Sequence, residues 1–268
     1  MYPEKLAIFG SKQFHLKHSL KMWFAYFSSN SYQSHQNFFT EEELSWSSQI
    51  TSKTALIKSE VESFIDHPDF TPQNYFVTGM AKDDGWKTFS FKTWGIEVKG
   101  TFNHVPVLHA IIKNNPNIVS LSINILNPNT VIQPHYGDSN TFYRSHLGIK
   151  IPEGLPNCGF KVNEESRPWE EKKLLTFVDG NFHTAWNHSK TERVIVVFDV
   201  IKDEFQSQRR YICFRVRSFL ILQLLFEKSK WVKQSPKWMH YIFAFNLFCL
   251  LVLLYPYQKV VGTIKKQN

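Results

Sequence analysis

The sequence has only three cysteines, Cys158, Cys213 and Cys249. An odd number, widely spaced and without a Cys-x-x-Cys pair, argues against a disulfide framework or a thiolate zinc cluster and fits a reducing compartment. Glycine and proline stand at ordinary levels, 11 and 12 among 268 residues, so collagen-like and low-complexity chains are excluded. Met1 to Gly10 carries Glu4 and Lys5 without an adjoining apolar run, so no signal peptide is expected. No internal repeat is visible. Acidic charge is missing from one end of the chain. From Lys202 onward 12 basic side chains face 3 acidic ones, which leaves 19 basic and 20 acidic in the preceding part. The net charge of +8 is therefore a property of the C-terminal segment. That distribution excludes a nucleic-acid binder, and basic charge beside an apolar run points to anionic lipid.

What is present supports a sizeable core: 43% of residues are hydrophobic and 16% aromatic. Residues 1–75 read as a helical region packing on the core, with a short amphipathic helix over Leu16 to Phe27. Thr40 before Glu41-Glu42-Glu43 reads as a helix N-cap. Lys53 to Asp66 forms a firmer helix with Ile57, Val61, Phe64 and Ile65 on one stripe, stopped by His67-Pro68. Residues 76–201 change to strand periodicity. Trp86 to Trp94 alternates aromatic and polar side chains, and Pro106 to Lys113 reads as a short helix. Ile118 to Leu126 places Val119, Leu121, Ile123 and Ile125 on one face. Short strands follow over Val131 to His135, Phe142 to Ile149, Phe160 to Asn163, Leu174 to Val178 and Val194 to Ile201. Strands this short, separated by turn residues, predict a mainly β sandwich or barrel with flanking helices.

Residues 202–268 read as a basic helical segment, with one helix over Glu204 to Lys230 and a break at Ser235-Pro236. Trp238 to Tyr257 then runs 20 residues without Lys, Arg, Asp or Glu. At ~1.5 Å per residue that is about the thickness of a hydrocarbon core. Trp238 and Tyr241 at one end and Tyr255 and Tyr257 at the other match an interfacial aromatic belt. The expectation is a membrane-associated protein with a single transmembrane pass over 238–257. Lys228, Lys230, Lys233 and Lys237 before the run, against Lys259, Lys265 and Lys266 after it, put the β domain on the cytosolic side.

Two histidines far apart in sequence, His135 and His183, are the metal candidates, since neutral imidazoles suit a divalent iron and leave positions open. Taken alone, each reads more readily as a hydrogen-bonded core residue than as a ligand, and spacing does not decide between them. A His-x-carboxylate pair is missing, because Gly137 stands two residues after His135. Asp138, one residue later, would point to the opposite face of a strand. Arg193 heads the apolar run Val194 to Val197 and must be buried, so it needs an anion. That anion is either a bound carboxylate or an internal partner, Glu192 or Asp199. Arg144 and His146, two residues apart on one strand face, could meet a second carboxylate.

Taken jointly, Asn127-Pro128-Asn129-Thr130, Pro134-His135-Tyr136-Gly137, Arg144-Ser145-His146-Leu147-Gly148, Trp169-Glu170-Glu171-Lys172, Phe182-His183-Thr184-Ala185-Trp186-Asn187 and Arg193 with Asp199-Val200 are recognisable. Together with Trp86-Lys87-Thr88-Phe89, the region from Trp86 to Ile201 resembles the aspartyl/asparaginyl β-hydroxylase family of Fe(II)/2-oxoglutarate-dependent dioxygenases. The resemblance implies a double-stranded β-helix core and Fe(II) on His135 and His183, with water in place of the missing carboxylate. It implies that Arg193 holds the C5 carboxylate of 2-oxoglutarate and that Arg144 with His146 meets its other end. Asn124 would be a cosubstrate contact where the family often has Ser. Lys172 stands where Gly is common, and Val178 where Asp is common. With O2, the implied reaction is hydroxylation of an unactivated C–H bond of an Asp/Asn-type residue or amino acid. The alternatives are an acyl chain of a lipid and, in another class, an inactive membrane-tethered binding module. Retention of His135, His183, Arg144, His146 and Arg193 together speaks against the last.

Overall fold

The computed structural model describes residues 21–261, apart from residues 35, 78, 83 and 99. Helices α1 (Ser48–Thr51) and α2 (Thr54–Ile65) precede strands β1 (Gln73–Asn74), β2 (Trp86–Thr93) and β3 (Ile96–Glu97). Helix α3 (Pro106–Asn114) leads into β4 (Ile118–Leu126), β5 (Thr130–Tyr136), β6 (Phe142–Lys150) and β7 (Cys158–Val162). Strands β8 (Glu165–Arg167), β9 (Leu174–Val178), β10 (Phe182–Asn187) and β11 (Arg193–Ile201) follow. The chain ends in α4 (Arg209–Lys228), α5 (Lys230–Gln234) and α6 (Lys237–Val261).

The larger sheet has the order β1-β2-β4-β11-β6-β9, with β3 added on β2, and the smaller has the order β5-β10-β7-β8. From β4 to β11 the chain passes back and forth between the two. Strands β4, β6, β9 and β11 lie in one sheet and β5, β7, β8 and β10 in the other. This is the double-stranded β-helix, a jelly roll that brings distant segments face to face across one interior.

Strand β11 shows why the fold closes this way. All nine of its residues are buried. Val194, Val196, Phe198 and Val200 pack outward into a cluster with Ile57, Val61 and Phe64 of α2 and Leu108, Ile111 and Ile112 of α3. Ile195 and Val197 point between the sheets, into a cluster with Ile132, Phe160, Phe177 and Ala185. Each such side chain contributes roughly 1.5–3 kcal/mol by leaving water. The helix α3 is positioned from outside itself. Pro106 opens it, and the Glu60 carboxylate of α2 accepts from the amides of Val107 (2.6 Å) and Leu108 (3.0 Å), which have no partner within their own first turn.

Three expectations need correction. No helix begins at Thr40. Glu43 does take the Thr40 amide at 2.7 Å, but the Phe39 amide is drawn into a bridge with Thr176 of β9 (2.9 Å). Leu44 and Trp46 are buried, and helix starts only at Ser48. The helix expected over Glu204 to Lys230 opens as a 3-10 turn over Asp203–Gln208 and ends at Lys228, where extended Ser229 caps α5 through the Val232 amide. The helix expected over Leu16 to Phe27 lies partly outside the described residues, and within them only Ala25–Phe27 forms a 3-10 turn.

Candidate active site

Strands β5 and β10 pair antiparallel with His135 and His183 directly opposite each other. Their rings lie 4.3 Å apart between centres, inclined by 57°. The pairing steps from His183 opposite His135 to Ala185 opposite Ile132, so one extra residue is inserted in β5. Pro134, which has no amide hydrogen, falls inside that bulge, a position where a strand tolerates proline. Nδ1 of His135 lies 2.7 Å from the Gln133 carbonyl oxygen, and Nδ1 of His183 2.7 Å from that of Asn181. A carbonyl can only accept, so both Nδ1 atoms carry hydrogen and both Nε2 atoms keep their lone pairs. Burial favours the neutral form, lowering His135 to about 4 and His183 well below the usual histidine range. Among the described residues no third imidazole, carboxylate or thiolate joins them in a metal-holding cluster.

Gly137 explains part of that. A Cβ there would sit 2.3 Å from the carboxyl carbon of Asp179 and 2.3 Å from its backbone oxygen. The space that a carboxylate side chain at this position would need is filled. Asp179 Oδ2 also accepts from the Asp138 amide at 2.6 Å.

Across the interior, the larger sheet presents its polar residues. A cavity of about 180 Å³ between the sheets is lined by His135, His183, Asn124, Arg144, His146 and Arg193, with Asp138 and Asp199 also on its wall. Arg193 is 1% exposed and has an Nε without a hydrogen-bond partner. Its guanidinium carbon sits 4.5 Å over the Trp169 ring, and burial lowers its pKa to about 10. Neither anticipated internal partner reaches it. Glu192 meets Lys150 at 3.4 Å, and Asp199 is taken by Arg144.

Arg144 is committed on two sides. Its Nε and one terminal nitrogen donate to the two Asp199 oxygens at 2.7 and 3.1 Å, and its other terminal nitrogen lies 2.5 Å from Asp179 Oδ1. Burial opposes its charge, but Asp179 and Asp199 outweigh that and raise its pKa. Burial and the neighbouring Asp179 push the Asp138 carboxyl above the usual carboxylate range. His146 Nδ1 accepts from Trp169 Nε1 at 3.2 Å, so its proton sits on Nε2. Burial, then the nearby Arg193, depress its pKa. Asn124 accepts from Trp86 Nε1 at 3.0 Å and donates to Ser122 Oγ at 2.8 Å.

The profile of the aspartyl/asparaginyl beta-hydroxylase family matches residues 51–203. The chain belongs to that family. Similar curated proteins include an ornithine lipid ester-linked acyl 2-hydroxylase of Rhizobium tropici, 27% identical over 62% of this chain and 60% of that protein. Aspartate beta-hydroxylase domain-containing protein 2 of Mus musculus is 33% identical over 48% of this chain and 39% of its own length. The aspartyl/asparaginyl beta-hydroxylase of Mus musculus is 36% identical over 34% of this chain and 12% of that protein. The chain thus spans less than two thirds of each of these relatives.

In this β-hydroxylase-family chain the fold brings all six expected site residues to one cavity, but not in equivalent states. His135, His183 and His146 carry neutral rings, Arg193 has no counter-ion among the described residues, and Arg144 and Asn124 are already bonded within the protein. Sequence reasoning missed Asp179 as the partner of Arg144 and gave Trp169 no role. One signal was available: Asp199 shares the inner parity of Arg193 on β11, and in register it faces Arg144 of β6.

Proposed function

We propose that this chain is a hydroxylase that uses Fe(II), 2-oxoglutarate and O2. The observation that carries the reading is Arg193, a buried guanidinium without a carboxylate partner among the described residues, facing a pair of neutral histidines across one cavity. Burying such a charge is costly unless an anion meets it, and a dicarboxylate cosubstrate supplies one. His135 and His183 would hold the metal through Nε2, their rings fixed by the Gln133 and Asn181 carbonyls. The residues present fit such a centre: two fixed nitrogen donors, no bound proton to displace, and a cation one sheet away. When bound, the iron and the keto acid would supply the oxidising chemistry at an unactivated C–H bond.

The chain's own residues do the rest. Arg193 would orient one carboxylate, and the Nε2–H of His146 is a donor for another cosubstrate oxygen. Arg144 acts one step back, holding Asp179 over Gly137 and Asp199 on the cavity wall. Phe160, Phe177, Ile195 and Val197 keep the interior dry, which strengthens every one of these contacts.

As substrate we propose an Asp/Asn-type residue or free amino acid, after the family. A second reading, the acyl chain of a lipid, is favoured by one observation. The cavity reaches Leu220 of α4, the helix on which the exposed apolar helix α6 packs. The name of the Rhizobium tropici relative describes an acyl hydroxylase, which agrees with that reading.

The test is anaerobic addition of Fe(II) and 2-oxoglutarate, read by the weak visible charge-transfer band of the chelate. Wild type should show the band, and His183→Ala should lose it while keeping its circular dichroism spectrum. Succinate release under O2 should follow in wild type only. An absent band with Fe(II) and cosubstrate in excess would sink the enzyme reading and leave a binding module.

A further inference from the structure

Helix α6 is long and apolar enough over Lys237–Gln258 to cross a membrane, and only 11% of its most apolar stretch is covered by the rest of the protein. Its packing says how it sits. Ala244, Leu251 and Gln258 are buried at seven-residue spacing, a seam that lies against α4. The other side of α4 is occupied too: Ile212, Cys213 and Val216 pack into the β-core with Trp94, Val119 and Phe142. Helix α4 is therefore sandwiched between the sheets and α6.

Both ends of α6 are attached to this one body. Near its start, the Tyr241 ring lies 5.9 Å from Phe27, and the His240 ring 6.3 Å from Tyr26, in the segment that precedes the β-core. Near its end, Tyr255 meets Phe214 edge-on at 5.3 Å, and Gln258 accepts a buried hydrogen bond from Arg217 at 2.8 Å. A helix crossing a bilayer carries one end ~30 Å away from the domain at its other end. Here neither end leaves it.

The outward face of α6 is strongly apolar. Trp238 is 60%, Phe245 62% and Leu253 77% exposed. At the start of the helix stand the exposed lysines Lys228, Lys230, Lys233 and Lys237, beside exposed Trp231. An apolar face flanked by ammonium groups and an indole matches a leaflet with anionic headgroups: acyl chains for the face, phosphates for the lysines, the interface for the tryptophan.

We propose that α6 lies in the plane of an anionic bilayer leaflet, holding the β domain flat against the membrane, and does not cross it. The proposal does not depend on the hydroxylase reading, and its test uses no turnover.

Full-length protein is added to preformed sealed vesicles, either phosphatidylcholine alone or phosphatidylcholine with about a third phosphatidylglycerol. Flotation with the anionic vesicles is expected to exceed flotation with the neutral ones by tenfold or more. It should be lost in Phe245→Asp/Leu253→Asp with an unchanged circular dichroism spectrum. On bound protein in a Cys249→Ser background, Gln234→Cys before the helix and Lys265→Cys after it are probed with a membrane-impermeant maleimide. Both should label from outside without detergent. Labelling of Gln234→Cys with Lys265→Cys protected until detergent is added, equal flotation on both vesicle types, or no flotation on either would overturn the proposal.

Discussion

The guanidinium of Arg193 lies 4.5 Å over the indole of Trp169, and the same indole donates to His146. One tryptophan thus positions both a cation and a hydrogen-bond donor on the cavity wall, while contributing no counter-charge. Arg193→Met should therefore separate binding from stability. We expect 2-oxoglutarate affinity, measured by anaerobic calorimetry, to fall by about 100-fold or more, as when one partner of a buried ion pair is removed. Thermal stability without cosubstrate should not fall, because an uncompensated buried charge has gone. A Tm well below wild type would mean that the arginine is a structural group.

Gly137 should tolerate no side chain. Gly137→Ala places a methyl against Asp179 and should cost about 1–3 kcal/mol in chemical denaturation. Gly137→Asp should cost more and should not raise Fe(II) affinity, since its carboxylate has nowhere to go. A folded Gly137→Asp variant with tighter metal binding would show that the loop at Asp179 yields.

Lys202 gives a pH signature remote from the cavity. It is buried, lies 5.1 Å over the Tyr143 ring, and desolvation lowers its pKa from 10.5 to about 8. Between pH 8 and 10.5 the unfolded chain binds more protons at this group than the folded one, so the contribution of Lys202 to stability rises with pH through that window. Below pH 8 the penalty is present in full. Lys202→Met should be more stable than wild type at pH 7, on the order of 2 kcal/mol, and the difference should shrink toward pH 10.5. Denaturant titrations at pH 7, 9 and 10.5 test the slope.

Lys172 adopts φ 63°, in the left-handed region that glycine occupies without strain. Lys172→Gly should stabilise the protein by about 0.5–1 kcal/mol, or leave it unchanged, in the same assay. A clear loss would mean that the side chain makes a contact worth more than the backbone strain.

Residues that face one way were legible in the sequence, and residues that face each other were not. The stripe Ile57, Val61, Phe64 gave α2, and Leu174 to Val178 is β9 to the residue. The candidate site residues were picked by joint motif order, which needs no geometry, and the fold brings them to one cavity. Strand β10 was not marked as a strand, because Phe182 to Asn187 alternates His, Ala and Asn inward, which does not read as an apolar face. The face of β4 bearing Ser120, Ser122 and Asn124 has no apolar pattern either, yet it lines the cavity, and of the three only Asn124 was singled out, by the family resemblance. Asp179 escaped notice because its importance lies in filling the space over Gly137 and meeting Arg144, contacts that only closure of the two sheets creates.

The extra residue in β5 carries one more consequence. Ile132 and His135 both line the cavity although they are three positions apart, an odd interval that would put them on opposite faces of an unbroken strand. The inserted residue acts as a phase shifter for a single side chain. Loss of one codon at Gln133 or Pro134 would leave a chain of nearly the same composition, in which the strand pairs more regularly than before. His135 would keep its face, because it and Ile132 would then stand two positions apart, opposite His183 and Ala185. At this point of the fold the count along the sequence and the face in the sheet disagree by one residue, and the bulge in β5 is the whole of the difference.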